Sequence, residues 1–193
     1  MKRKFLVVCH DVRTDGAFSL NDLPGSGRAD VCARCVVASL LISYGIRKDT
    51  EVILHLSGEP TPGISIRING SSVKYLNPDE RSTAALIRNA LLKYREGKEV
   101  QSSPGVFVWR AGLEDILRNE NVYYLKENGT PLNQLNFSGD AMFVLGDHKD
   151  LTPEEEQVVR KYARAAVSVS PISLYSEQCI TIVHNYLDML EVK

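Results

Sequence analysis

The segment Gly25-Ser26-Gly27-Arg28 has the composition of an anion-binding loop. Glycines let backbone N–H groups approach a negative group closely, and a helix starting just after them favours negative charge. The spacing, however, reads G-x-G-x-x-D. Asp30 stands where the dinucleotide fingerprint has its third glycine, and the chain carries no G-K-[ST] phosphate loop. A phosphate contact by Arg28, or a flexible substrate loop, therefore fits better than a dinucleotide site; a glycine-rich surface turn is the plain alternative. Asp11, Asp15, Asp22 and Asp30 crowd the same stretch. Such carboxylates serve as general bases or as partners for Arg13, Arg28 and Arg34. Without a matching set of His and Cys they make no transition-metal site, so no metal is expected.

Leu145-Gly146-Asp147-His148 follows an apolar run, and a glycine at a strand end permits the close approach of a flat ligand such as an adenine or ribose. Val169-Ser170-Pro171-Ile172-Ser173-Leu174 is a polar, proline-containing turn that offers several backbone donors and acceptors in a small space, or else a tight connector. His10 ends another apolar run and reads as a structural histidine, and His184 as a packed or interfacial one. Cys32 and Cys35 form a C-x-x-C, but no second pair stands at metal spacing. Apolar residues recur around them at helical spacing, so packed, reduced thiols are expected.

These residues need elements to hold them. Buried strands are expected at Lys4–His10, Glu51–Leu56, Val106–Trp109, Val122–Leu125, Ala141–Leu145 and Ala166–Val169. A long loop runs from Asp11 to Gly27, and loops of that length inside a compact domain are usually functional. Helices are expected over Arg28–Tyr44 with Gly45 as stop, from Asn77-Pro78 to about Glu96, and over the short stretch Gly112–Asn119. Two more follow, one opened by a capping box at Thr152-Pro153-Glu154-Glu155 and one from Ser176. Ile180, Val183, Leu187 and Leu190 form one stripe on the last of these, expected to contribute to a dimer contact. Ile64–Ile68 and Ser71–Leu76 flank Asn69-Gly70, the strongest short hairpin signal, which predicts a β-hairpin insertion over about 63–77. Strand and helix otherwise alternate. That argues an α/β fold with a mainly parallel sheet and helices on both faces, with ligands beyond the carboxyl ends of the strands.

Hydrophobic residues make up 44% and charged residues 24%, enough apolar material for a core without staples. The formal net charge of -1 does not suggest a nucleic-acid binder, yet residues 1–50 hold eight Lys and Arg against five Asp. A local basic surface could still attract phosphates. The apolar run Phe5–Cys9 is too short for a signal-peptide core or a membrane span. A cytoplasmic protein with no membrane contact is expected.

Taken together, His10-Asp11, Thr14-Asp15-Gly16 and Leu20-Asn21-Asp22-Leu23-Pro24-Gly25-Ser26-Gly27-Arg28 resemble the opening of the tRNA (pseudouridine(54)-N1)-methyltransferases. Leu145-Gly146-Asp147-His148, Leu151-Thr152-Pro153-Glu154-Glu155 and Ser176-Glu177-Gln178-Cys179-Ile180-Thr181-Ile182-Val183-His184-Asn185 are similar to that family as well. The joint match spans nearly the whole chain. It departs at Cys9, where alanine is expected, and at Tyr175 and Gln178, where smaller or more polar residues are expected.

The family is of the SPOUT class, so the resemblance implies one domain over 1–193 with a C-terminal trefoil knot, and a homodimer. It implies S-adenosyl-L-methionine as cofactor and tRNA as substrate. Carried over by position, the cofactor contacts are Leu125, Gly146, Val169, Ser170, Pro171, Ile172, Ser173, Leu174 and Cys179. Arg28 and Arg34 are assigned to RNA, with Arg28 also beside the chemistry. Asp11 or Asp30 is assigned to orientation or removal of a proton. Ribosomal RNA is the nearest alternative substrate, and a non-catalytic RNA-binding or ribosome-assembly factor is the alternative of a different class. A nucleotide-dependent oxidoreductase is disfavoured by the defective glycine pattern.

Overall fold

In a computed structural model, which describes residues 1–191, the strand β1 (Arg3–Cys9) lies in the middle of the molecule. From Phe5 to Cys9 its side chains are apolar on both sides, as a central parallel strand requires. Phe5, Val7 and Cys9 face one layer, while Leu6 and Val8 face the other. The chain continues through α1 (Ala29–Leu40), the short strands β2 (Leu41–Ile42) and β3 (Gly45–Ile46), β4 (Thr50–Leu56), β5 (Ile64–Asn69) and α2 (Glu80–Lys93). Then come β6 (Val100–Ser103), β7 (Val106–Arg110), α3 (Leu113–Leu117), β8 (Val122–Pro131), β9 (Ala141–Gly146), α4 (Pro153–Tyr162), β10 (Ala163–Ser168) and α5 (Ser176–Glu191).

The main sheet has the order β10-β8-β9-β1-β4-β5-β7-β6. From β10 to β4 every pairing is parallel, and β5, β7 and β6 extend the sheet antiparallel. Helices α1, α2 and α5 cover one face with Val36, Ile87, Ile180 and Val183 in the core, and α3 and α4 cover the other through Leu113, Leu117 and Val159. The expected α/β architecture with helices on both faces is therefore present. Among the described residues no helix is long and apolar enough to cross a membrane.

The expected hairpin at Asn69-Gly70 does not form. The chain does turn there, with the Ser72 and Val73 N–H groups donating to Asn69 O, but Ser71–Leu76 is not a strand. Both edges of β5 are already taken by β4 and β7, and Ile64, Ile66 and Ile68 are buried between the helical layer and the sheet. Burying each such side chain is worth about 1.5–3 kcal/mol, which outweighs a local turn preference. α1 also ends four residues early, because Leu41-Ile42 pairs with Gly45-Ile46 in a small ladder. The N-cap of α2 is Asp79, accepting from Ser82 N–H, and not Asn77. By contrast the capping box of α4 is complete: Thr152 Oγ1 accepts from Glu155 N–H at 3.2 Å, and Glu155 Oε2 from Thr152 N–H at 2.9 Å.

The stripe on α5 has a different fate from the one its sequence suggested. Ile180, Val183 and Leu187 are at most 1% exposed and pack inside this chain; only Leu190 remains half-open. They are therefore not free to meet a second copy. The buried guanidinium of Arg3 locks α5 onto β1 by donating to His184 Nδ1, Asp188 Oδ1 and Glu191 Oε2. Burial, with Arg47 and Arg3 beside it, pushes His184 down to about 4, so it is a neutral packed ring whose Nε2 donates to Ser39 O.

Candidate functional site

Two parallel strands, β9 and β10, end at one cavity of about 580 Å³, and the middle of β8 bulges into it. β9 delivers Leu145 and Gly146 and then the loop Asp147–Asp150, while the turn after β10 delivers Val169, Ser170, Ile172, Ser173 and Leu174. The first turn of α5 adds Cys179, and Arg28 and Val31 close the wall from the start of α1. Leu125, Lys126 and Glu127 reach the cavity for a topological reason. The β8–β10 register jumps from Tyr124/Ala166 to Thr130/Val167, so 125–129 bulges out of the ladder. Gly129 makes the crossing possible, since a Cβ there would lie 2.5 Å from Val167 N.

Of the expected cofactor residues, Leu125, Gly146, Val169, Ser170, Ile172, Ser173, Leu174 and Cys179 line this one cavity, and Pro171 sits in the same turn without reaching the wall. Gly146 is required by packing: a Cβ would stand 2.1 Å from Lys149 O. Ser176 Oγ lies 2.8 Å from Gly146 O and 2.7 Å from Asp147 O, tying α5 to the end of β9. Burial raises the Cys179 thiol to about 11. It is neutral near pH 7 and unsuited to nucleophilic attack.

The glycine loop serves a purpose other than an anion cradle. Gly27, at φ 68°, presses on the backbone of Asp11, where a Cβ would meet Asp11 O at 2.0 Å. Arg28 follows at φ 61°, a left-handed conformation that costs a non-glycine residue roughly 1–2 kcal/mol. Its fork is held by Asp30 through two bonds of 3.0 Å. Asp30 also accepts from Arg34 at 2.8 Å. Burial pushes the Asp30 carboxyl up, but the two guanidiniums outweigh it and hold the group at about 2. With both oxygens engaged by two guanidiniums and the residue only 3% exposed, Asp30 has no face open to a substrate, so of its two expected roles orientation of Arg28 fits. Arg34 is placed away from this cavity and donates also to Glu80 and Glu177, at 3.2 and 2.8 Å. Three carboxylates compensate its charge, which argues against the expected RNA contact and for a strut between α1 and α5.

Asp11 sits at the rim, 40% exposed, where Lys149 Nζ and His148 Nε2 bond it at 2.6 and 3.1 Å. Lys149, first, and His148 hold its carboxyl below the usual range, so it is ionised and open to solvent. Lys126, Glu127 and Lys149 were not legible as site residues. Lys126 pairs with Asp150 at 3.1 Å, and Glu127 accepts from Ser173 Oγ at 2.9 Å. Among the described residues no group of three or more His, Cys, Asp or Glu is placed to hold a metal ion. Cys32 and Cys35 are buried and unbridged in α1, as expected of packed thiols.

A cavity of backbone edges at the ends of parallel strands, with an ionised carboxylate and a guanidinium at its rim, suits a small-molecule cofactor and a larger polyanionic substrate. The model of the SAM-dependent RNA methyltransferase family matches residues 2–192. The chain belongs to this family. It is 43% identical to the tRNA (pseudouridine(54)-N(1))-methyltransferase of Methanosarcina mazei, over 99% of this chain and 93% of the relative. The enzyme of the same name from Methanopyrus kandleri is 42% identical over 97% and 93%. Among solved structures, Archaeoglobus fulgidus Nep1 bound to S-adenosylhomocysteine aligns over the full length of both chains, with a TM-score of 0.69 at 16% identity. That likeness is one of fold, and it places the sheet and its helices in the same α/β architecture.

Proposed function

We propose that this chain transfers a methyl group from S-adenosyl-L-methionine to N1 of pseudouridine 54 in the T-arm of tRNA. The 43% identity to a tRNA enzyme of that name across 99% of the chain carries this reading. The cavity fits the cofactor. Its volume lies in the usual range for small-molecule sites, and Gly146 leaves backbone bare where a flat ligand would press. When bound, S-adenosyl-L-methionine supplies an electrophilic methyl on a sulfonium.

The chain's own residues then have definite tasks. Leu125, Gly146, the turn from Val169 to Leu174 including Pro171, and Cys179 hold the cofactor. Arg28, anchored by Asp30, takes an RNA phosphate or base edge. Asp11 accepts the proton that N1 must lose before it can act as nucleophile. No covalent enzyme intermediate is needed, so a neutral Cys179 is no obstacle. The loop around Asp11 and Arg28 holds the target base in line, which supplies much of the acceleration. To this reading belong one SPOUT domain over 1–193, a C-terminal trefoil knot, a cytoplasmic location and a homodimer. The β8 bulge and the β10–α5 turn enclosing one cavity support the knot. An apolar groove walled by Val37, Ala38, Leu174 and Ile182, together with exposed Tyr175 next in sequence to Leu174, supports the dimer contact in place of the α5 stripe.

Labelled S-adenosyl-L-methionine, incubated with tRNA transcripts with and without prior pseudouridylation, tests the reaction. N1-methylpseudouridine is expected in the pseudouridylated transcript alone. No label in either, with cofactor still bound, would move the substrate to another RNA; no cofactor binding would leave a non-catalytic RNA-binding factor. Arg28→Ala should weaken tRNA binding and reduce the slope of log affinity against log salt by about one. An unchanged slope would remove Arg28 from the phosphate contact.

A further inference from the structure

His10 ends β1 just outside the cavity, and both of its ring nitrogens contact carboxylates. Nδ1 lies 2.9 Å from Asp147 Oδ1, and Nε2 lies 2.9 Å from Glu155 Oε2. A neutral imidazole has one N–H and could serve only one of these acceptors, so the ring carries both hydrogens and a positive charge. Those two bonds, Asp147 first, raise it to about 10.

Its two partners have further tasks. Asp147 is fully shielded from solvent, and it also accepts from the backbone N–H groups of His10 at 3.0 Å and Lys149 at 3.1 Å. It thereby folds the loop that carries Gly146, His148 and Lys149 into the cavity wall. Glu155 closes the capping box of α4 and accepts from Ser57 Oγ, just past β4. One partly buried cation thus joins the ends of β1, β4 and β9 to the start of α4.

We infer that His10 is a positioning residue, acting through Asp147 to hold the 146–150 loop in the shape that seats the cofactor. This rests on the reading of the cavity as the cofactor site. Removing the cation leaves Asp147 and the partly buried Glu155 facing each other, with only the His148 ring, 3.1 Å from Asp147 Oδ2, still beside them, and the Asp147 loop loses its bond to β1. The remaining titratable groups around the ring are His55 of β4, which burial pushes down to about 4, and His148 and Lys149 of the loop itself. His55 is neutral and supplies no replacement charge.

The test is calorimetric binding of S-adenosylhomocysteine to the full chain at pH 7.5, with the melting temperature recorded alongside. His10→Gln, which donates from one amide only, should raise Kd roughly tenfold to a hundredfold. Adding Glu155→Gln, which restores charge balance and still caps α4, should recover part of that loss. An unchanged Kd with a lowered melting temperature would mean that His10 is merely structural and would overturn the inference. Wild-type protein that binds no S-adenosylhomocysteine would overturn the cofactor reading itself. Should His10→Gln fail to fold, NMR of the wild-type imidazole decides. Both ring nitrogens protonated at pH 8, and resonances that shift on adding S-adenosylhomocysteine, are expected. Titration near the ordinary value of 6.5, or no shift with ligand, would overturn it.

Discussion

Gly146→Ala should weaken cofactor binding by about a hundredfold or more while leaving a folded protein. The added Cβ would stand 2.1 Å from Lys149 O, and that atom is backbone, so no rotamer change relieves the clash. Ordinary contact begins near 3.4 Å, so the loop must shift by more than an ångström. The loop cannot yield freely, because Asp147 ties it to His10 on one side and Ser176 ties it to α5 on the other. Misplacement of this size costs about a hundredfold in a well-fitted site. β9 itself should survive, since Ala141–Leu145 are buried in a sheet paired on both edges. The expected result is a loss of S-adenosylhomocysteine affinity of about a hundredfold or more by calorimetry, with a far-UV spectrum like that of the wild type. Binding within fivefold of wild type would show that this wall does not touch the cofactor.

Residue patterns exposed the strand ends but not the contacts between them. The apolar runs at β1, β4 and β9 were legible because a buried parallel strand has no polar face to confuse the pattern. The α4 capping box was legible because its two bonds span only three residues. Gly146 and the turn at 169–174 followed from strand ends and glycine, and the family resemblance joined them into one site. What stayed hidden depends on distant partners. Lys126 and Glu127 face the cavity only through the register jump between β8 and β10, and no local signal reports a register. The Asn69-Gly70 signal was local and lost to β7, which arrives from far along the chain. Asp30 looked like a candidate base until the two arginines that silence it came into place, one of them a turn further along α1. The two carboxylates that His10 bridges lie more than 130 residues away, beyond the reach of any local pattern. The burial of the α5 stripe depends on core residues of α1 and β1 from the other end of the chain, where Arg3 also ties that helix down.

Asp11→Asn should separate chemistry from binding. Asp11 is absent from the cavity wall, so S-adenosylhomocysteine affinity should stay within about twofold of wild type, whereas the wall itself depends on Gly146 and the turn after β10. Its carboxylate stands next to the cavity-lining His148 and Lys149, with both oxygens held by Lys149 and one also by His148. A positioned base is worth about 10²–10⁴-fold in rate, and asparagine keeps the size while losing the ability to take a proton. The single-turnover rate of methyl transfer to pseudouridylated tRNA should therefore fall by about that factor. The pH dependence provides an independent check. Because Lys149 and His148 lower the Asp11 pKa from its ordinary 3.8, the base form persists as pH falls and is lost only below that value. The wild-type rate should show no acid limb between pH 5 and 7 that is missing from Asp11→Asn. An acid limb near the ordinary histidine value, retained in the variant, would instead make His148 the proton acceptor and leave Asp11 to orient it. A rate within fivefold of wild type would pass the proton to a water molecule held at the same rim.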